Sequence, residues 1–218
     1  LICPLHKQPM NRDLKTTLIF QDCSNKSLIC PLRSFENNRL RSKIKNILKI
    51  ERSEKRLSIQ NSKEKHEFYR NLNIHLKALV EDETDWLANC ANFSALLFSQ
   101  MPDINWAGFY FLKNNELVLG PFQGKPACIR IPLGKGVCGT AAVTRKIQVV
   151  EDVHQFEGHI ACDEASQSEI VLPILYDQRL IGVLDIDSPL LKRFDQTDAQ
   201  GLTDSLALLN QYNRWPTF

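Results

Sequence analysis

Two pairs of strand-like runs in this chain are joined by connectors too short for anything but a hairpin. Asn105 to Leu112 leads through Asn114-Asn115 into Glu116 to Leu119, and Glu169 to Tyr176 returns through Asp177-Gln178 as Arg179 to Asp187. Parallel neighbours need a crossover of about a dozen residues, so connectors of this length dictate antiparallel pairing. Ala127 to Ile131 and Gln148 to Val150 add two further strand-like runs, with a short helix between them over Gly136 to Thr144. Helical spacing flanks the strands on both sides. Leu72, Leu76, Leu79 and Val80 repeat on one face; Asp85 then precedes Trp86, Leu87, Cys90, Phe93, Leu96 and Leu97, with Pro102 as the stop. Asp195 opens a last helix carrying Ala199, Leu202, Leu206 and Leu209. Helices before and after a mostly antiparallel sheet of about six strands must cover a face, so the expected fold class is α+β.

Charge divides the chain in two. Residues 1–70 hold 16 Lys and Arg against 7 Asp and Glu, a net of +9, which leaves 11 against 18, a net of −7, in the rest. The expectation is a basic, poorly ordered extension over residues 1–66 and a globular domain over 67–214. Within the extension LICPL occurs at Leu1 to Leu5 and again at Leu28 to Leu32, and Leu40, Ile44, Ile47 and Leu48 trace a basic amphipathic helix. That helix reads first as a solvated linker, with membrane-surface contact, nucleic-acid contact and an organelle presequence as the other readings. No apolar run approaches the roughly 20 residues of a membrane span. Residues 1–30 lack the continuous apolar segment of a signal peptide. A cytoplasmic protein with neither nucleic acid nor membrane as partner is expected.

The chemistry concentrates in the acidic part. Cys128, Cys138 and Cys162 fall close together in GKPACIRIP, GKGVCGTAA and GHIACDEAS. The cysteine spacing is not that of a secreted disulfide framework, and cycling thiols in a reducing compartment fit it better. Cys90 lies on an apolar helix face and reads as a buried hydrophobe; the Gly, Asp, Glu and Ser around Cys162 read as an accessible turn. In Ile181 to Asp187, period-two alternation puts Val183, Asp185 and Asp187 on one face. Two carboxylates roughly 7 Å apart in a partly desolvated site resist joint ionisation, so at least one is expected to hold a proton near neutral pH. For Asp187 the alternative is a plain turn residue ahead of Ser188-Pro189. Gly134 to Gly139 opens the short helix with amides suited to a substrate carboxylate, and it lacks the spacing of a phosphate loop. His154, His159, Cys128, Cys138 and Cys162 show no paired metal-ligand spacing, so no metal is expected.

The stretches NWAGFYFL, LVLGPFQGKPACIRIPLGKGVCGTAA, VVEDVHQFEGHIACDEASQSEIVLPI, LIGVLDIDSP and RFDQTDAQGL resemble the free methionine-(R)-sulfoxide reductases, which are built on a GAF domain. The resemblance covers about residues 68–212. It implies a GAF-like fold and thiol-dependent reduction of free methionine (R)-sulfoxide to methionine. It nominates Cys162 as nucleophile and Cys128 as its disulfide partner, with Cys138 sharing a resolving or relay role and the order of the three left open. Glu169, Asp185 and Asp187 would hold the proton and the substrate ammonium, and Trp106 with Tyr110 would wall the methyl sulfoxide, ordinary core packing being the alternative for these two rings. No bound cofactor is implied; thioredoxin or a similar dithiol would recycle the disulfide, and a homodimer is expected. The rival function is a non-catalytic GAF module that senses a small molecule.

Overall fold

Alternation along the two hairpins is what divides the sheet into a face packed on the three long helices and a face that carries the chemistry. The computed structural model describes residues 42–43, 62–158 and 163–216. In chain order the elements are α1 (Ser62–Val80), α2 (Trp86–Gln100), β1 (Trp106–Lys113), β2 (Glu116–Gly124), β3 (Arg130–Pro132), α3 (Gly136–Thr144), β4 (Gln148–Val150), β5 (Ser168–Tyr176), β6 (Arg179–Ser188) and α4 (Gln196–Tyr212). The six strands form one sheet in the order β3-β2-β1-β6-β5-β4, every neighbouring pair antiparallel. Both expected hairpins are present. Their central residues, Asn114-Asn115 and Asp177-Gln178, all have positive φ, at 50°, 66°, 48° and 61°, as the tightest hairpin turn requires. Asn and Asp tolerate that region, whereas Gln178 enters it without the glycine that would relieve the strain.

The β2 and β3 region departs from expectation. β2 does not stop at Leu119. Gly120 and Pro121 together face the single Phe109 in a bulge, and pairing resumes at Phe122 opposite Gly108. A bulge is one of the few places in a sheet that accepts a proline, because an unpaired residue there owes no ladder hydrogen bond. Of the strand expected over Ala127 to Ile131, only Arg130 and Ile131 are in β3, which ends at Pro132; Ala127 and Cys128 belong to the preceding loop. Pro126 cannot donate to a ladder, and the Cys128 carbonyl is claimed by a tyrosine side chain described below.

Ala107, Phe109 and Phe111 of β1, Ile170, Leu172 and Ile174 of β5 and Leu184 and Ile186 of β6 point to one face, where they pack with the apolar stripes of α1, α2 and α4. The helices are capped as their sequences dictate. Asp85 accepts from the amides of Leu87 and Ala88, and Asp195 forms a capping box with Asp198. α1 spans the boundary expected at residue 67 and is fastened to α4, where buried Asp198 takes Lys65, the Tyr69 hydroxyl and Arg193. Of the basic amphipathic helix, only Ser42 and Lys43 are described; Lys43 pairs with Glu81 and Asp82 at 2.7 and 2.9 Å. The LICPL repeats lie outside the described residues. Among those described, no helix is long and apolar enough to cross a membrane.

Candidate active site

The opposite face of the sheet carries the site, and strand register assembles it. Asp187 of β6 sits across from Trp106 of β1 on one side and Glu169 of β5 on the other. The next same-face row, two residues along, is Gly108, Asp185 and Val171, and the third is Tyr110, Val183 and Pro173. Directly opposed side chains in an antiparallel pair lie about 5 Å apart, where like charges repel. Glu169 and Asp187 therefore form an unfavourable pair, with Asp185 one row away.

Gly108 is what gives the first row its shape. A Cβ there would lie 2.6 Å from Cη2 of Trp106 and would also strike Phe122, so the indole extends over the glycine. It stacks on Phe122 at 5.3 Å and 14° and on Tyr110 at 5.9 Å and 23°. The polar ends of the two site aromatics are tied down: the Trp106 indole N–H donates to the Lys125 carbonyl and the Tyr110 hydroxyl to the Cys128 carbonyl, each at 3.1 Å. Gly108→Ala should displace the indole, lower near-ultraviolet dichroism and raise KM for the ligand about tenfold, a magnitude typical of one misfitted apolar contact. Unchanged dichroism and KM would show that Trp106 does not depend on this glycine.

α3 covers this face with Val137, Cys138, Ala141 and Ala142. Its first residue, Gly136, has φ 61°, and a Cβ on Gly139 would lie 2.5 Å from the Pro132 carbonyl, so the helix enters close against the β3 end. That entry sets Cys138, buried, with its Sγ 4.0 Å from Oε1 of Glu169. Trp106, Tyr110, Lys125, Lys135, Cys138, Asp163, Ser166, Glu169, Asp185 and Asp187 are among the residues lining a pocket that encloses about 540 Å³, its mouth included.

Burial and crowding control the protons in this pocket. Glu169 is pushed well above the usual carboxylate range, first by desolvation and then by the charges of Asp185 and Asp187. Asp187, partly exposed, is raised well above the usual carboxylate range by desolvation and then by Asp185 and Asp163. Asp185 is raised to about 6 by desolvation, with the neighbouring Cys138 and Glu169 side chains acting in the opposite direction. The Cys138 thiol is driven well up by burial and by the surrounding carboxylates. Asp163 goes the other way, lowered first by the Ala165 amide and then by Lys125.

The structure thus brings together Trp106, Tyr110, Cys138, Glu169, Asp185 and Asp187. Cys128 is partly exposed in the loop after Pro126, whose neighbour Ala127 also lines the pocket. Cys162 and His159 lie outside the described residues, although Asp163, the next residue after Cys162, lines the pocket. His154 is in a 3-10 turn capped by Asp152, away from the pocket lining. In the sequence Asp163 and Ser166 read only as signs of a turn, and no motif singles out Lys125 or Asn105. Asn105 donates to Asp163 at 3.3 Å and to Ser166 at 3.0 Å, and Lys125 pairs with Asp163 at 3.1 Å. The available signal was adjacency, since Asp163 follows Cys162 directly and Asn105 precedes Trp106.

The GAF domain family matches residues 75–211. Free methionine-R-sulfoxide reductase of Escherichia coli (strain K12) is 57% identical over 147 residues, which cover 67% of this chain and 89% of that protein. The chain belongs to the free methionine-R-sulfoxide reductase family. Another member, from Saccharomyces cerevisiae, is 44% identical over 155 residues, covering 67% of this chain and 86% of its own. The free methionine-R-sulfoxide reductase from Neisseria meningitidis, solved in complex with its substrate, superposes with a TM-score of 0.64 at 46% identity, covering 66% of this chain and 87% of that one. The resemblance read from the motifs and the GAF-like α+β fold expected from it are both met.

Proposed function

We propose that this chain reduces free L-methionine (R)-sulfoxide to L-methionine with its own thiols. The observation that carries the reading is one pocket lined by a stacked aromatic pair, Trp106 on Tyr110, and beside it by Glu169, Asp185 and Asp187, carboxyl groups whose pKa values are raised by burial. An apolar methyl sulfoxide fits the wall and an ammonium fits the acids. A methionine sulfoxide residue inside a protein has no such ammonium, which accounts for selection of the free amino acid.

A sulfoxide sulfur becomes electrophilic when its oxygen is protonated, and a carboxyl group kept protonated by desolvation can donate that proton. In the proposed sequence the Cys162 sulfur attacks the sulfoxide sulfur as the oxygen takes up a proton. The oxygen is then transferred to Cys162, leaving a sulfenic acid and releasing methionine. Cys128 condenses with the sulfenic acid, so that a disulfide forms and water leaves, and a thioredoxin-type dithiol reduces the disulfide by exchange. Cys138 stands between the roles: its place among the carboxylates suits holding a proton better than attacking, because a thiol kept protonated is a weak nucleophile. A cytoplasmic location and a homodimer complete the proposal.

The test is turnover of racemic free methionine sulfoxide by the reduced protein, with the epimers resolved. Consumption of the R epimer alone is expected, with the S epimer and a methionine sulfoxide in mid-peptide untouched. Binding of the R epimer without turnover would overturn the enzyme reading in favour of a sensor module.

A further inference from the structure

We infer that Cys138, Glu169 and Asp185 also form a binding site for a thiophilic divalent cation of zinc's class. One ligand atom from each, the Cys138 sulfur and a carboxylate oxygen from Glu169 and Asp185, lie within 4.8 Å of one another, and all three residues are buried. Independently of that cluster geometry, Oδ1 of Asp185 is buried without a hydrogen-bond partner, on a residue only 7% exposed that lines the pocket. A buried carboxylate oxygen left without a partner is costly, and it is a position that a cation satisfies.

The donor set selects the ion. One sulfur and two carboxylate oxygens match a borderline-soft metal, whereas magnesium and calcium take oxygen only. Zinc–sulfur and zinc–oxygen bonds of roughly 2.3 and 2.0 Å place tetrahedral ligands about 3.5 Å apart. The Cys138 to Glu169 separation of 4.0 Å is therefore within a small side-chain adjustment of the bound geometry. Three protein ligands leave a fourth position open to water, and the rigidity of β5, β6 and α3 fixes the other three. On binding, the Cys138 S–H bond gives way to a sulfur–metal bond, and the proton, with any still held by the two carboxyl groups, passes to solvent. The metal would occupy the place assigned above to the substrate ammonium, so zinc would act as a reversible inhibitor competitive with methionine sulfoxide. Only this last consequence rests on the proposed function.

Cobalt(II) titrated anaerobically into the full, phosphine-reduced chain, without substrate, reports the site through a thiolate-to-cobalt charge-transfer band. The band should appear with the wild type and with Cys162→Ser and vanish in Cys138→Ser. Asp185→Asn should weaken cobalt binding by at least the ~10- to 100-fold that loss of a mere outer partner costs. Zinc-edge X-ray absorption on the wild type, which needs no variant to fold, should show a single sulfur with oxygen neighbours. No band in the wild type, a band that survives Cys138→Ser, full affinity in Asp185→Asn, or two or more sulfurs at zinc would each overturn the site. Turnover measured with a chelator present tests the reductase reading separately.

Discussion

Cys162→Ser should reduce turnover of free methionine (R)-sulfoxide to background, a loss of about a thousandfold or more, as removal of an attacking nucleophile does in other enzymes. Cys128→Ser should behave differently according to the reductant. With dithiothreitol a small thiol reaches the sulfenic acid directly and turnover continues; with thioredoxin, which needs a disulfide to exchange with, it stops. Cys138→Ser should lie between the two, because burial and the neighbouring carboxylates hold the Cys138 thiol protonated. Trapping with dimedone in the Cys128→Ser background, followed by peptide mass spectrometry, should place the sulfenic acid on Cys162. A label on Cys138 together with an active Cys162→Ser enzyme would exchange their roles.

Asp185→Asn should lose activity and gain stability. General acid and base groups contribute on the order of a hundredfold or more, and the loss of turnover should be of that size. The stability gain follows from the raised pKa. Asp185 titrates near 6 in the folded protein because burial disfavours its charge, against roughly 3.9 in an unfolded chain. Between about pH 4 and pH 6 the unfolded state releases this proton while the folded state keeps it, so stability falls as pH rises through that window. A difference of two units amounts to about 3 kcal/mol. The urea midpoint of Asp185→Asn relative to wild type should therefore climb from pH 4 to pH 6 and level off above it. A constant difference across that range would show that Asp185 carries no such folding cost.

What the sequence made legible was whatever depends on neighbours along the chain. Hairpin connectors predicted antiparallel pairing, and alternation placed Asp185 and Asp187 on one face together with Val183. Asp85 and Asp195 marked helix starts by their capping chemistry, and the structure has both caps. The β2 bulge was not legible, since Gly120-Pro121 reads locally as the end of a strand and only the partner strand β1 carries pairing through it to Gly124. Nor was the Asp163 cluster: Asn105 and Lys125 reach Asp163, and Asn105 also reaches Ser166, from segments far away in the chain. The proposed ligand set of Cys138, Glu169 and Asp185 eluded spacing rules for the same reason. Each residue comes from a different element, α3, β5 and β6, and their proximity is a product of sheet register and of the packing of α3 on the sheet.

The loop from Lys125 to Cys128 gives two main-chain oxygens to the site aromatics, that of Lys125 to Trp106 and that of Cys128 to Tyr110. Every amino acid carries that oxygen, so the grip is blind to which side chains the loop displays. The side chains at positions 126 and 127 can therefore change while both of these hydrogen bonds are kept, whereas the Lys125 side chain has its own partner in Asp163. The two rings proposed to receive the substrate serve at the same time as clamps on the backbone that carries Cys128.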